Sequence, residues 1–316
     1  MSAPLYAGME LGGTKCVCTL GTSPGDIRDQ QVLPTRDPAV TLPAIAEILT
    51  RWNSQVAPLS AIGIASFGPL ELRRDSPGYG HLGATVKQYW DYCDLVGFFA
   101  RRFTAPIGLT TDVIGAALAE GRWGDARGLS HWAYVTVGTG VGVGVVVGGK
   151  PLAGCHHPEL GHVRAVRLPG DAWPGICSFH GACVEGLASG PAIAARSGMN
   201  AADLPADSPV WDTVTHALAQ LMHILVMSVA PQRILIGGGV MNTRPQLFPK
   251  IRQSLVDSLN GFIDIAEIRT GLDTYIVPPG LGTMAGPCGA LAVAADAHAQ
   301  NLGAAVRAPA AAVVRS

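Results

Sequence analysis

Four side chains that bind soft or borderline metals lie close together in this sequence: His162, Cys177, His180 and Cys183. Three of them form the run Cys177-x-x-His180-x-x-Cys183. Two thiolates and two imidazoles make a tetrahedral set suited to Zn2+. Four protein ligands leave no position for a water, so the expected metal is a structural staple and not a hydrolytic centre. Two carboxylates bracket the set, Glu159 in Glu-Leu-Gly-His at 159–162 and Glu185 in Glu-Gly-x-x-Ser-Gly-Pro at 185–191. The staple would hold these two acidic side chains in register.

A second kind of chemistry lies in the glycine turns. Gly12-Gly13-Thr14-Lys15 separates the apolar runs Leu5–Leu11 and Cys16–Leu20. Gly138-Thr139-Gly140 separates Trp132–Val137 from Val141–Val147 in the same way. A third run, Gly237-Gly238-Gly239, follows the strand pattern Arg233–Ile236. Such turns offer backbone N–H groups to phosphate oxygens, and two of them add a Thr hydroxyl. They are not nucleotide loops of the commonest kinds. The first has the order Thr-Lys with no helix after it, unlike a Walker A loop. The dinucleotide fingerprint fails because Gly138-x-Gly140 leads to Val143 and Gly237-x-Gly239 to Asn242. Asp112 stands where the strand pattern Pro106–Thr111 gives way to the helix pattern Val113–Arg122. That place suits a general base at the edge of a site and a helix N-cap equally.

The elements that must position these residues are mostly short strands and amphipathic helices. After Leu20 comes a polar stretch, then a helix near Leu42–Trp52 and a buried-type strand Ile62–Ser66. Residues 71–90 have no clear period and read as a long loop, a form that is usually functional in compact domains. Helices are expected over Tyr92–Phe103, Pro209–Val229, Leu247–Leu259 and Met284–Ala297, with a strand at Tyr275–Val277. The Ala-rich stretch Asn301–Ser316 reads as a frayed tail. Hydrophobic residues make up 48% of the chain, charged residues 14%, and there are 40 glycines. That composition points to buried α/β cores joined by tight turns. A net charge of −1 gives no basic surface for nucleic acid. No apolar run is long enough to cross a membrane, and the N-terminus lacks the basic flank and apolar core of an export signal. Outside the metal set, Cys16, Cys18, Cys93, Cys155 and Cys288 read as reduced thiols of a cytoplasmic protein.

The duplicated strand–turn–strand with paired phosphate loops resembles the actin-like ATPase fold. From Gly8 to about Ala294 the chain resembles a sugar kinase of the ROK family, and most closely its fructokinase branch. Gly8-x-Glu10-x-Gly12-Gly13-Thr14-Lys15 and Val137-Gly138-Thr139-Gly140-x-Gly142-x-Gly144 resemble the family's two phosphate motifs. His157-Pro158-Glu159-x-Gly161-His162 resembles its sugar and zinc motif, and Cys177-x-x-His180-x-x-Cys183 the fructokinase form of the metal loop. Ile236-Gly237-Gly238-Gly239-Val240 and Gly280-Leu281-Gly282-x-x-Ala285-Gly286 look like its nucleoside-binding pair. Ser76-Pro77-Gly78-Tyr79-Gly80 with Lys87 and Trp90 also resembles a fructokinase stretch, departing from it at Val86 and Tyr89, and stays outside the catalytic set.

The resemblance implies a two-domain α/β protein of the actin-like ATPase (ribonuclease H-like) fold, with an active-site cleft between domains. The smaller domain would take residues 1–114 and 286–316, the larger 115–285 with the zinc loop. It implies ATP-dependent phosphorylation of a hexose at the 6-hydroxyl, D-fructose first, with Mg2+ and a structural Zn2+. The alternatives are a mannose or glucose kinase, or a non-catalytic sugar-sensing protein. Asp112, ahead of Ala116-Ala117-Leu118-Ala119-Glu120, takes the role of base. Ile114 stands where many members carry Asn. Glu159, His162 and Glu185 would bind sugar, with His162 also joining Cys177, His180 and Cys183 on the metal. Gly12, Gly13, Thr14, Lys15, Gly138, Thr139, Gly140, Gly237, Gly238 and Gly239 would hold the nucleotide. The family also includes repressors with an N-terminal helix-turn-helix, for which a first strand beginning by Leu5 leaves no room. A homodimer is implied, with hexose and ATP as partners.

Overall fold

A computed structural model describes residues 3–85 and 87–307, with side chains to Leu302. The chain divides into two compact units, one drawn from residues 1–110 and 290–316 and the other from 111–289. Each has its own apolar core.

The first unit is built on the strands β1 (Tyr6–Leu11), β2 (Lys15–Ser23), β3 (Asp26–Pro34), β4 (Ala61–Ser66) and β5 (Ile107–Thr111). They lie in the order β3-β2-β1-β4-β5. β1 and β2 form an antiparallel hairpin, while β1 and β4 run parallel. β1 and β4 are buried almost throughout, which is why both read as continuous apolar runs rather than alternating ones. The polar stretch after Leu20 proves to be the end of β2 and the whole of β3. β3 is an edge strand whose residues alternate between half-buried and exposed. With charges and amides on its open side it has no apolar period to read.

Helix α1 (Pro38–Gln55) starts where Asp37 accepts the N–H of Ala39 at 2.7 Å, with Pro38 in the first turn. It buries Leu42, Ile45, Leu49 and Trp52, one side of a 3.6-residue period. Helix α2 covers only Leu95–Ala100, less than the expected Tyr92–Phe103. Tyr92 has φ 57°, which ends any helix there, and Asp94 instead caps α2 by accepting from Gly97. The described residues of 71–94 hold no helix or strand. Isolated bridges Leu70↔Leu82 and His81↔Asp94 and the fully buried Trp90 shape them instead.

The second unit contains β6 (Trp132–Val137), β7 (Val141–Val147), β8 (Lys150–Pro151), β9 (Arg233–Gly237) and β10 (Ile276–Val277), ordered β10-β9-β6-β7-β8. Counted from its own first strand this is the topology of the first sheet again: hairpin, third strand beyond it, fourth and fifth parallel on the other side. Helix α3 (Asp112–Trp123) precedes this sheet; α4 (Val184–Ala188), α5 (Gly190–Ser197), α6 (Val210–Val229), α7 (Gly239–Thr243), α8 (Leu247–Leu259), α9 (Ala266–Arg269) and α10 (Leu272–Tyr275) complete the unit. Leu218, Leu221 and Leu225 of α6 share a core with Ile251 and Leu255 of α8 and with β6 and β7.

Helix α11 (Ala285–Arg307) closes the described chain, and from Ala290 on it belongs to the first unit. There it lies against β4 so closely that a Cβ on Gly63 would collide with the Ala290 carbonyl. The helix runs on to Arg307, so the start of the expected frayed tail is helical. Alanine, the strongest helix former, carries it there. The rest of that stretch, 308–316, lies outside the described residues.

Candidate active site

The expected sugar-side residues and two of the three glycine turns belong to the second unit. Asp112 opens α3, and the residue before it, Thr111, is the N-cap: its hydroxyl accepts the N–H of Ile114 at 3.3 Å. Asp112 is thereby spared that duty. Its Oδ1 accepts the nearby N–H of Val113, at 2.8 Å. The side chain keeps a little solvent contact, yet protein crowds it closely. Burial raises its pKa to about 6 and the charge of Glu159 adds to the rise, against a pull downward from the Val113 N–H. A carboxylate that holds a proton this readily is tuned toward general-base work near neutral pH.

Glu159 precedes the short turn Leu160–His162, and its Oε1 lies 3.4 Å from Nδ1 of the buried His157. Burial lowers the pKa of His157. The next turn of chain brings His162 to the metal loop. The Nδ1 of His162 is 3.6 Å from Sγ of both Cys177 and Cys183, and Cys177 Sγ is 3.6 Å from Nδ1 of His180. The four candidate ligand atoms all lie within 4.8 Å of one another. Around a tetrahedral zinc with metal–sulfur bonds of about 2.3 Å and metal–nitrogen bonds of about 2.0 Å, neighbouring ligands sit about 3.5 Å apart. The residues present therefore fit Zn2+. Cys183 also caps α4, where the Gly186 N–H reaches its sulfur at 3.4 Å.

Glu185 lies in the first turn of α4 and is no free loop residue. Its Oε2 accepts the N–H of Val141 at 3.0 Å, and its Oε1 is 3.9 Å from Nε2 of His162. One carboxylate thus joins the metal loop to the second glycine turn. That turn is closed by Gly138 N–H on the Gly140 carbonyl at 2.9 Å, and the Gly190 N–H at the start of α5 holds the Gly138 carbonyl at 2.7 Å. Thr139 at its tip is exposed. The third run abuts it. Gly238, with φ 92°, turns β9 into α7, and a side chain there would meet Val137 and Thr136 within 2.7 Å.

In the first unit, Gly12, Gly13 and Thr14 link β1 to β2, with Gly13, Thr14 and Lys15 exposed. The Gly12 N–H closes the turn on the Lys15 carbonyl at 3.0 Å. Three donors from outside hold it: Thr35 Oγ1 on the Gly12 carbonyl at 2.6 Å, Lys87 Nζ on the Gly13 carbonyl at 2.6 Å, and the Thr35 N–H on the Thr14 carbonyl at 2.9 Å.

A sequence profile of the ROK family matches residues 6–297. The chain belongs to the ROK family. Among ROK proteins it is 41% identical over 290 residues to the fructokinase of Pediococcus pentosaceus, covering 92% of this chain and 97% of that one. It is 39% identical over 298 residues to the fructokinase of Zymomonas mobilis, covering 93% and 97%. The crystal structure of a ROK hexokinase from Thermus thermophilus superposes with a TM-score of 0.74 at 26% identity, over 92% of this chain and 98% of that one. The repeated sheet topology is accordingly that of the actin-like ATPase fold.

Within this ROK chain one further carboxylate does what sequence did not announce. Glu120 is fully buried on α3 and accepts N–H groups from Asp125 at 2.9 Å, Gly280 at 3.1 Å and Leu281 at 2.9 Å. It organises the Gly280-Leu281-Gly282 loop, expected on the nucleoside side. Burial raises its pKa, while the Leu281, Asp125 and Gly280 N–H groups hold it down. A glutamate in a helix usually faces water, so the Ala116–Glu120 run marked the helix but not what Glu120 holds.

Proposed function

We propose that the chain is an ATP-dependent fructokinase that transfers the γ-phosphoryl group of MgATP to the 6-hydroxyl of D-fructose. The observation that carries this reading is a proton-avid Asp112 beside Glu159, in a chain about 40% identical to fructokinases along nearly its whole length. Asp112 takes the proton of the attacking hydroxyl. The freed oxygen pair forms the new bond to the γ-phosphorus, the bond to the β,γ-bridging oxygen breaks, and ADP leaves with that electron pair. Glu159 and Glu185 accept hydrogen bonds from sugar hydroxyls. With Nδ1 of His162 committed to the metal, its proton sits on Nε2, which donates toward the sugar and Glu185. The glycine turns at 12–15, 138–140 and 237–239 supply N–H groups to the nucleotide.

Zn2+ would be held by His162, Cys177, His180 and Cys183 and would supply rigidity to this loop, with no chemical step of its own. The proposal extends to a cytoplasmic homodimer. Reduced thiols support the compartment, since none of the seven cysteines is paired in a disulfide. No helix among the described residues is long and apolar enough to cross a membrane. Sedimentation of the purified protein reads the dimer directly.

An ADP-release assay over fructose, mannose, glucose and amino sugars tests the substrate, with 31P NMR to locate the new ester. Fructose is expected to give the highest kcat/KM and a 6-phosphate. A higher value for glucose or mannose would replace the sugar in this reading, and no ADP release with any hexose would end it.

A further inference from the structure

We infer that Thr35 and Lys87 are positioning residues that aim the backbone of the first glycine turn at the nucleotide phosphates, an inference that rests on the kinase reading above. In a trans peptide the C=O of one residue and the N–H of the next point in opposite directions across one plane. Pinning a carbonyl on the protein side therefore turns the following N–H outward. Thr35 Oγ1 pins the Gly12 carbonyl at 2.6 Å, which directs the N–H of Gly13. Lys87 Nζ pins the Gly13 carbonyl at 2.6 Å, which directs the N–H of Thr14. Neither of these two N–H groups has a partner among the described residues.

The Lys87 ammonium does a second thing. The β2–β3 ladder ends at Lys15↔Pro34, so the next pair would be Thr14 with Thr35. Half of that pair forms, as the Thr35 N–H reaches the Thr14 carbonyl at 2.9 Å. The other half would spend the Thr14 N–H on the Thr35 carbonyl. Lys87 Nζ occupies that carbonyl instead, at 3.3 Å. The Thr14 N–H is thereby kept off the ladder and left for an anion. Thr35 is only 8% exposed, and its hydroxyl also lies 3.3 Å from the buried Cys16 sulfur, so its rotamer is fixed. Lys87 sits in the loop that Trp90 secures through its Nε1 on the Arg36 carbonyl at 2.8 Å. Preorganised N–H groups of this kind bind phosphate without reorganising first.

The test is calorimetric titration of MgADP into wild type, Lys87→Met, Lys87→Arg and Thr35→Val, with steady-state kinetics and melting curves alongside. Lys87→Met and Thr35→Val are each expected to weaken MgADP binding and raise the KM for ATP by about tenfold, the worth of one lost charge-assisted or well-aligned hydrogen bond. The KM for fructose should stay within about twofold and the melting temperature within a few degrees, because the burial of apolar surface is untouched. Lys87→Arg should recover most of the loss, since it keeps a donor at the carbonyls. Unchanged MgADP binding in Lys87→Met overturns the proposal. So does loss in Lys87→Met without loss in Thr35→Val, which would leave charge rather than aim as the cause. A parallel fall in sugar affinity and melting temperature overturns it as well, in favour of a general fold defect. The MgADP arm needs no sugar, so its failure stands apart from failure to phosphorylate fructose.

Discussion

As the proposed base, Asp112 would meet two demands that oppose each other. Catalysis wants a carboxylate able to take a proton, and burial makes the charged form costly. The pKa of about 6 is the compromise. As pH falls through about 6 the base becomes protonated, so kcat/KM should fall about tenfold per pH unit below that point, which a pH–rate profile reads directly. Asp112→Asn should lower kcat by about 10²–10⁴-fold while leaving MgADP and fructose binding nearly intact. The stability sign is opposite. A pKa raised in the fold means that Asp112 contributes most below its unfolded value near 4, and that this contribution is lost as pH rises through about 6. At pH 7.5 the charged side chain is thus a net cost, at most roughly 3 kcal/mol. Asp112→Asn, which keeps the oxygen that accepts from Val113, should melt about 2–6 °C higher at pH 7.5 and no higher at pH 4. Wild-type turnover in the variant would place the base elsewhere.

At the scale of the element, two unlike devices would hold the segment from His157 to α5. One is the metal set. About one zinc per chain is expected by elemental analysis, and Cys177→Ser or Cys183→Ser should lose it. Glu159, His162 and Glu185 all hang on that segment, so the sugar must then supply the ordering on binding. The KM for fructose should rise about tenfold or more, with a smaller change in the KM for ATP. If chelation strips the zinc and neither sugar KM nor melting temperature moves, the metal does not hold this segment. The second device is an ion cluster between the ligands His162 and Cys177. Asp171, 8% exposed, receives both terminal nitrogens of Arg196 on α5 at 3.0 Å and is approached by Arg167 at 3.2 Å. Arg196, then the Trp173 N–H and Arg167, hold its pKa at about 2 against the opposing effect of burial. A lowered carboxyl pKa gives stability that is present above about pH 4 and lost as pH falls toward 2. Asp171→Asn should therefore destabilise by roughly 1 kcal/mol at pH 7, once solvent screening is allowed for, and the gap to wild type should close near pH 2–3 in urea titrations.

At the scale of the whole molecule, two sheets of one topology carry separate apolar cores. None of the seven cysteines is paired in a disulfide, so these cores carry the stability, and zinc at the His162, Cys177, His180 and Cys183 cluster would add to it. A phosphine reductant should leave the melting temperature unchanged, whereas a zinc chelator should lower it. A drop with the reductant alone would mean a disulfide contributes after all.

The strand–turn–strand repeats were legible because glycine turns and buried parallel strands write themselves as short apolar runs with abrupt ends. Trp132–Val137, Val141–Val147 and Leu247–Leu259 have the bounds the sequence implies. The cluster of His162, Cys177, His180 and Cys183 was legible because three of its four members are neighbours in sequence. β3 was not, since an edge strand facing water carries no apolar alternation. Nor was the short reach of α2, fixed by the positive φ of Tyr92 and the Asp94 cap. Sequence alone determined which residue types were on hand: a carboxylate after a strand, glycines in turns, thiols and imidazoles in a loop. Only the tertiary structure decided what they are joined to. It gave the capping duty to Thr111 and so left Asp112 for other work. It turned Glu185 into a link between the metal loop and Val141. It brought Thr35 and Lys87 onto the carbonyls of Gly12 and Gly13. Such contacts join residues far apart in the chain, and hydrogen-bond direction is a property of three-dimensional position that no local pattern of residue types encodes.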